Sequence, residues 1–240
     1  MNRLAKKIKS NFWVIKYLPQ TLYFNFHYLP FKKAIHLPIF LYKPKFVTLK
    51  GSINIDSENI HIGMIKLGIN NVSIYPNNGI VLEIDGIVNF KGTCNIGNNS
   101  ALSVKSKTSG ITIGNNFNAT TSLKVVCYNK ITIGEDVLIG WNCIICDTDF
   151  HSIINLNNNT ETNLPHSLSW EVGYISQLEP IVIGNHVWIA HNCSIHKGSI
   201  IPSNIVVAAK SLVNKKLDVP PFSMVAGCPS KLKRTNIDWK

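Results

Sequence analysis

The chain has 240 residues, of which 45% are hydrophobic and only 15% charged, with a formal net charge of +11. That apolar content excludes a disordered chain, and six cysteines in this length exclude a small disulfide scaffold. The charge is segregated: residues 1–50 carry ten Lys/Arg and no acid, 51–209 carry seven against eleven acids, and 210–240 carry seven against two, so the centre is slightly acidic and a nucleic-acid partner is not expected.

Residues 1–50 read as a basic, aromatic cap that holds eleven of the chain's aromatic residues. Leu4, Ile8, Phe12, Ile15 and Leu18 recur at helical spacing, and Pro19 is expected to stop that helix. Beyond it, Pro30, Pro38 and Pro44 suggest extended chain. No apolar run is long enough for a membrane span, and Phe12–Ile15, cut off by Lys16, makes a poor signal peptide. The expectation is a cytoplasmic protein with reduced cysteines. Two compatible roles stand for the cap: closing the end of the following domain, and a peripheral contact with anionic membrane at the inner face of the cytoplasmic membrane.

From Ile183 an aliphatic residue returns every six positions, at Ile189, Ile195, Ile201, Val207 and Val213, and small side chains often follow it. The same phase runs through Ile84, Phe90, Ile96 and Leu102, through Ile113, Ala119 and Val125, and through Ile133, Ile139 and Ile145. A period of six fits neither an amphipathic helix nor a hairpin strand. It fits a triangular coil in which each short strand forms one side, three hexads form a turn, and stacked turns bury an aliphatic ladder. Residues 51–228 are assigned to this parallel β-helix, an all-β fold, and 229–240 to a basic tail. Cys94, Cys143 and Cys193 fall on the second inward position and read as core fillers.

The repeat breaks after Ile145 and resumes at Ile181, leaving a loop over 146–180 that contains Asp147, Asp149, His151, His166, Trp170 and Glu171. A long loop on a rigid scaffold is a favoured place for function. An imidazole beside carboxylates, as in Asp147-Thr-Asp-Phe-His151, is suited to removing a proton near neutral pH.

The hexads, this loop, and the blocks Ile183-Gly-Asn-His-Val-Trp-Ile-Ala190 and Val219-Pro-Pro-Phe-Ser-Met-Val-Ala-Gly227 resemble the hexapeptide-repeat acyltransferases, over about residues 51–234. Within that superfamily the loop is similar to that of sugar O-acetyltransferases of the galactoside and maltose type. The segments Leu22-Tyr-Phe-Asn-Phe and Leu29-Pro-Phe-Lys look like members that modify O-antigen or capsule. The resemblance implies a left-handed winding, a homotrimer with active sites between adjacent subunits, and acetyl-CoA as donor, with no metal. It implies His151 as general base for a sugar or lipid-linked glycan hydroxyl, with Asp147, Asp149, Asn142 and Glu171 toward the acceptor. It places Trp188, Ala190, His191 and Ala209 along the pantetheine arm, and Asn214, Lys215, Lys231 and Arg234 toward the nucleotide. His191 and His196 depart from the usual pattern of the block.

Three other readings stand beside it. A nucleotide-aminosugar N-acetyltransferase would use the same scaffold on an amine. His151, His191 and His196 also resemble the histidine set of gamma-class carbonic anhydrases, although the early coils lack the arginine of that class. A purely structural coil would need neither the loop nor the donor-like tail.

Overall fold

The computed structural model describes residues 14–69, 74–151 and 178–240. The strands stack into three parallel sheets, one for each side of a triangular coil, forming a left-handed parallel β-helix. The first sheet begins at Ile39–Leu41, passes through Leu138–Ile139, Trp188–Ile189 and Ile205–Val207, and reaches Ser223–Ala226. The second runs from Pro44–Thr48 through Ile144–Cys146 and Ser194–His196 to Leu212–Val213. The third runs from Ser52–Ile55 through Ile181–Ile183 to Ile200–Ile201.

The hexad aliphatics are the interior ladder. On the first sheet Ile96, Ala119, Ile139, Ile189, Val207 and Val225 lie in register. On the second, Leu102, Val125, Ile145, Ile195 and Val213 do so, and on the third, Phe90, Ile113, Ile133, Ile183 and Ile201. All are buried. The turn from Ile183 to Ile201 has the expected three hexads, whereas Phe90 to Ile113 and Ile113 to Ile133 are longer because residues are added at the bends. Ile84 sits off the ladder: Leu82 faces Leu102, and Ile84 faces Val104.

The bends explain the small and Asn-rich positions. A Cβ on Gly114 would lie 2.3 Å from Gly134 O, so the coils close there only without a side chain. At another bend Ser122, Asn142, Asn192 and Lys210 take left-handed φ values near +57°. Asn142 Nδ2 donates to Asn192 Oδ1 at 2.6 Å, one step of an amide ladder up this corner.

The coil starts earlier than the expected boundary at 51, because Ile39–Leu41 and Pro44–Thr48 already form sides of its first turn. Residues 14–16 are helical and that helix breaks at a turn at Tyr17, just ahead of Pro19. Pro19 itself lies in the first turn of the next helix, α1, Leu18–Tyr28, where a missing N–H costs nothing, and α2, Phe31–Ala34, follows in place of extended chain. Leu4, Ile8 and Phe12 lie outside the described residues.

Helix α1 closes the open edge of the first sheet with side chains. Asn25 accepts the Ile39 N–H at 3.1 Å and donates to Ile39 O at 2.7 Å, while Thr21 Oγ1 accepts the Leu41 N–H at 3.2 Å. Phe24 is fully buried and stacks on Phe46 at 5.7 Å. An edge left open would offer those groups to another chain.

The far end is closed differently. Lys231–Thr235 pairs antiparallel with Ser223–Ala226, and its residues are all exposed. The last residues then return to a bend, where His186 lies between Asp136 and Asp238 and the Trp239 ring stacks on His186 at 4.5 Å. The hydrogen bond with Asp136, and then that with Asp238, raises the His186 pKa, while the hydrogen bond with His186 lowers that of Asp238. The raised imidazole contributes fully below its unfolded value and is lost as pH rises through its folded one; the depressed carboxylate is lost as pH falls through its own. The clasp is therefore tightest between the carboxylate range and the ordinary imidazole value, and loosens as pH rises through the raised value of His186. Protection of residues 236–240 against hydrogen exchange, relative to their intrinsic rates at each pH, is expected to be greatest in that window and to fall at alkaline pH, and His186→Gln should abolish that fall.

Candidate active site

The coil is interrupted between its second and third sides. Ile144–Cys146 completes a second-sheet strand, the chain leaves, and Ile181–Ile183 opens the third sheet. Thr148 and Leu178 form an isolated antiparallel bridge that draws the two stems together. Glu171, His166 and Trp170 lie outside the described residues.

Asp147, expected at the substrate, is spent on the scaffold. It is fully buried, and its carboxylate accepts the N–H groups of Tyr128 at 2.7 Å and Asn129 at 2.8 Å. Burial pushes its pKa up, and these two amides act against that shift. Asn142, also expected at the acceptor, stands in the corner ladder described above.

Asp149 does not reach the substrate side alone either. Its carboxylate pairs with Lys197 Nζ at 2.7 Å, and Glu179 lies 4.0 Å from the same ammonium. Lys197 thus ties both stems of the loop to the coil. Phe150, at φ 62°, precedes His151 in a conformation uncommon for an aromatic residue. Its N–H donates to Thr148 Oγ1 at 3.0 Å and its ring meets Tyr128 edge-on at 6.0 Å. His151 follows, exposed, at the mouth of this rigid neck. Sequence reasoning passed over Lys197, although no other Lys or Arg occurs between Lys130 and Lys210. Lys197→Met is expected to lower turnover about tenfold while leaving the donor KM unchanged, because the loop root loses its anchor. Steady-state kinetics on both substrates checks this.

The residues expected along the donor lie at a different corner. Asn142, Asn192 and Lys210 donate their backbone N–H groups to Thr121, Trp141 and His191. This leaves the N–H groups of Trp141, His191 and Ala209 without a backbone acceptor among the described residues. Ala190 differs: it is buried and its N–H bonds to Val207 O at 2.8 Å. The His191 ring stacks on Trp141 at 4.8 Å and nearly parallel, and Trp188 is half-buried on the first sheet. Asn214, Lys215, Lys231 and Arg234 are all exposed near the C-terminal end of the coil.

A second-sheet strand separates the two groups. His191 stands before Ser194–His196 and Lys197 after it, so the donor corner and the loop root are roughly 15 Å apart within one chain. His196 is the last residue of that strand, at its far end from His191. Among the described residues no group of three His, Cys, Asp or Glu side chains is placed to hold a metal ion. Cys94, Cys143 and Cys193 are buried fillers, and the Cys143 thiol is pushed up by its hydrogen bond with Cys193 and by burial. A cleft of about 260 Å³ on the first sheet, lined by His61, Lys66, Asn95 and Asn118, contains none of the expected site residues.

No protein-family model matches the chain. The chain is 36% identical over 126 residues to a galactoside O-acetyltransferase of Escherichia coli, covering 52% of this chain and 54% of that protein. It is 29% identical over 144 residues to a polysialic acid O-acetyltransferase of Neisseria meningitidis, covering 60% and 57%. It thus spans a little over half the length of the curated relatives it matches. The crystal structure of a polysialic-acid-specific acetyltransferase superposes with a TM-score of 0.50 at 24% identity, covering 82% of this chain and 89% of that one, a likeness of fold. The chain folds as a parallel β-helix of hexad repeats and is similar, over a little more than half its length, to sugar O-acetyltransferases.

Proposed function

We propose that this protein is an acetyl-CoA-dependent O-acetyltransferase acting on a sugar hydroxyl of a surface polysaccharide. The observation that carries the reading is the long interruption of the coil after Cys146, with His151 held at its mouth, in a chain whose curated relatives are sugar O-acetyltransferases. His151 takes the hydroxyl proton as the sugar oxygen attacks the acetyl carbonyl. The free N–H groups at the donor corner are suited to the thioester oxygen as it gains charge. The proton goes on to the leaving coenzyme A thiolate, so the products are acetylated sugar and thiol.

The separation of base and donor corner within one chain supports a site completed by a neighbour, and we assign the assembly as a homotrimer with three such sites. Lys215, Lys231, Arg234 and Asn214 are placed to meet the nucleotide phosphates, where cations and amides are favoured. Trp188 then flanks the pantetheine arm beside His191 and Ala209. Glu171 remains the acidic residue assigned to the acceptor. Cytoplasmic work, close to the inner face of the membrane, follows from the donor's origin and suits a lipid-linked glycan.

Thiol release from acetyl-CoA, measured with hydroxyl sugars and with nucleotide aminosugars, tests the reading. Release that depends on a hydroxyl acceptor supports it. Release only with an amine would instead make the chain an N-acetyltransferase, and activity that follows zinc content would make it a metalloenzyme.

A further inference from the structure

The N-terminal cap carries apolar residues on both of its sides. The side of α1 that faces the coil buries Phe24 together with Thr21 and Asn25, which supply hydrogen-bond partners to the open sheet edge. Its outward side carries Leu22, Tyr23 and Phe26, and α2 continues this surface with Phe31 and Ile35. Phe31 is 71% exposed, Ile35 51% and Phe26 46%, and the Phe26 and Phe31 rings lie 6.0 Å apart. A helix packed on a core ordinarily buries such residues, so this contiguous apolar surface calls for a partner.

Charge decides which partner. Lys16, just before α1, and Lys32, on α2, are exposed, as are Lys45 and Lys50 on the first turn of the coil. The first fifty residues contain no Asp or Glu at all. A second cap, equally basic, would be repelled. A surface that is apolar, aromatic and rich in amines matches the interfacial zone of a bilayer with anionic headgroups, where aromatic rings sit at headgroup depth and lysines meet phosphates. We propose that the outward face of the cap, centred on Phe26 and Phe31, docks this protein on an anionic lipid bilayer. Membrane docking of this kind gives the working location proposed above a defined surface on the molecule, at the end of the coil where α1 closes the first sheet.

Flotation of the full-length protein with vesicles tests this without donor or acceptor, so its outcome is independent of whether the chain transfers acetyl groups. Vesicles of phosphatidylglycerol mixed with phosphatidylcholine should carry the protein upward, vesicles of phosphatidylcholine alone should not, and added salt should release it. The double variant Phe26→Glu/Phe31→Glu should lose about tenfold or more in partitioning. Ile74→Glu, at an equally exposed apolar residue outside the cap, should float as the parent does. The proposal is overturned if the parent ignores anionic vesicles or if the double variant floats equally well. It is also overturned if the double variant changes the size of the assembly in light scattering, which would make the patch a contact between subunits.

Discussion

His151→Ala is expected to lower acetyl transfer by about 100- to 10,000-fold while leaving thermal stability and assembly size unchanged. His151 is exposed at the neck of the loop, so removing its ring opens no cavity in the coil. The neck is instead held by the Phe150–Thr148 hydrogen bond and the Asp149–Lys197 pair, and all four residues remain in the variant. A loss in both kcat and kcat/KM for the acceptor, with donor binding unchanged, is the signature of a missing base. Unaltered turnover would take His151 out of the mechanism.

Asp147→Ala is expected to act on the opposite quantity. The carboxylate satisfies two backbone amides at the root of the loop, and truncation leaves both without their partner, costing about 2–3 kcal/mol of stability. For a chain of this size that is a fall in Tm of roughly 8 °C. Asp147→Asn should recover part of the loss, since its amide oxygen can still accept from one N–H while its NH2 faces the other. If Asp147 instead contacted the acceptor, Ala and Asn would both raise the acceptor KM and leave Tm alone. Thermal melts beside acceptor titrations separate the two.

What could be read in the sequence follows from what repetition records. Every inward position of the coil recurs on the next turn, so Ile183, Ile201 and their kin announce the stacking by spacing alone. The break after Ile145 was equally visible, because a loop shows as silence in the pattern. Features held by single long-range contacts left no such trace. The pairing of Lys197 with Asp149 joins residues far apart in the chain, and the bond from Asn25 to Ile39 serves one edge only. Asp147 looked like chemistry because it sits beside His151 in sequence, yet its carboxylate turns inward to the preceding turn. Pro19 marks the helix break at Tyr17, but the second helix that begins at Leu18 left no trace in the spacing.

The claim most open to test is that the base of one subunit serves the donor corner of its neighbour. His151→Ala removes the base, and Ala209→Trp, at an exposed position, fills the donor corner. Each variant alone should be close to inactive. Assemblies formed from an equal mixture should regain about a quarter of the parent activity, because random pairing across head-to-tail interfaces joins one intact base to one intact donor corner in that fraction of sites. A mixture as inactive as its components would contradict a shared site.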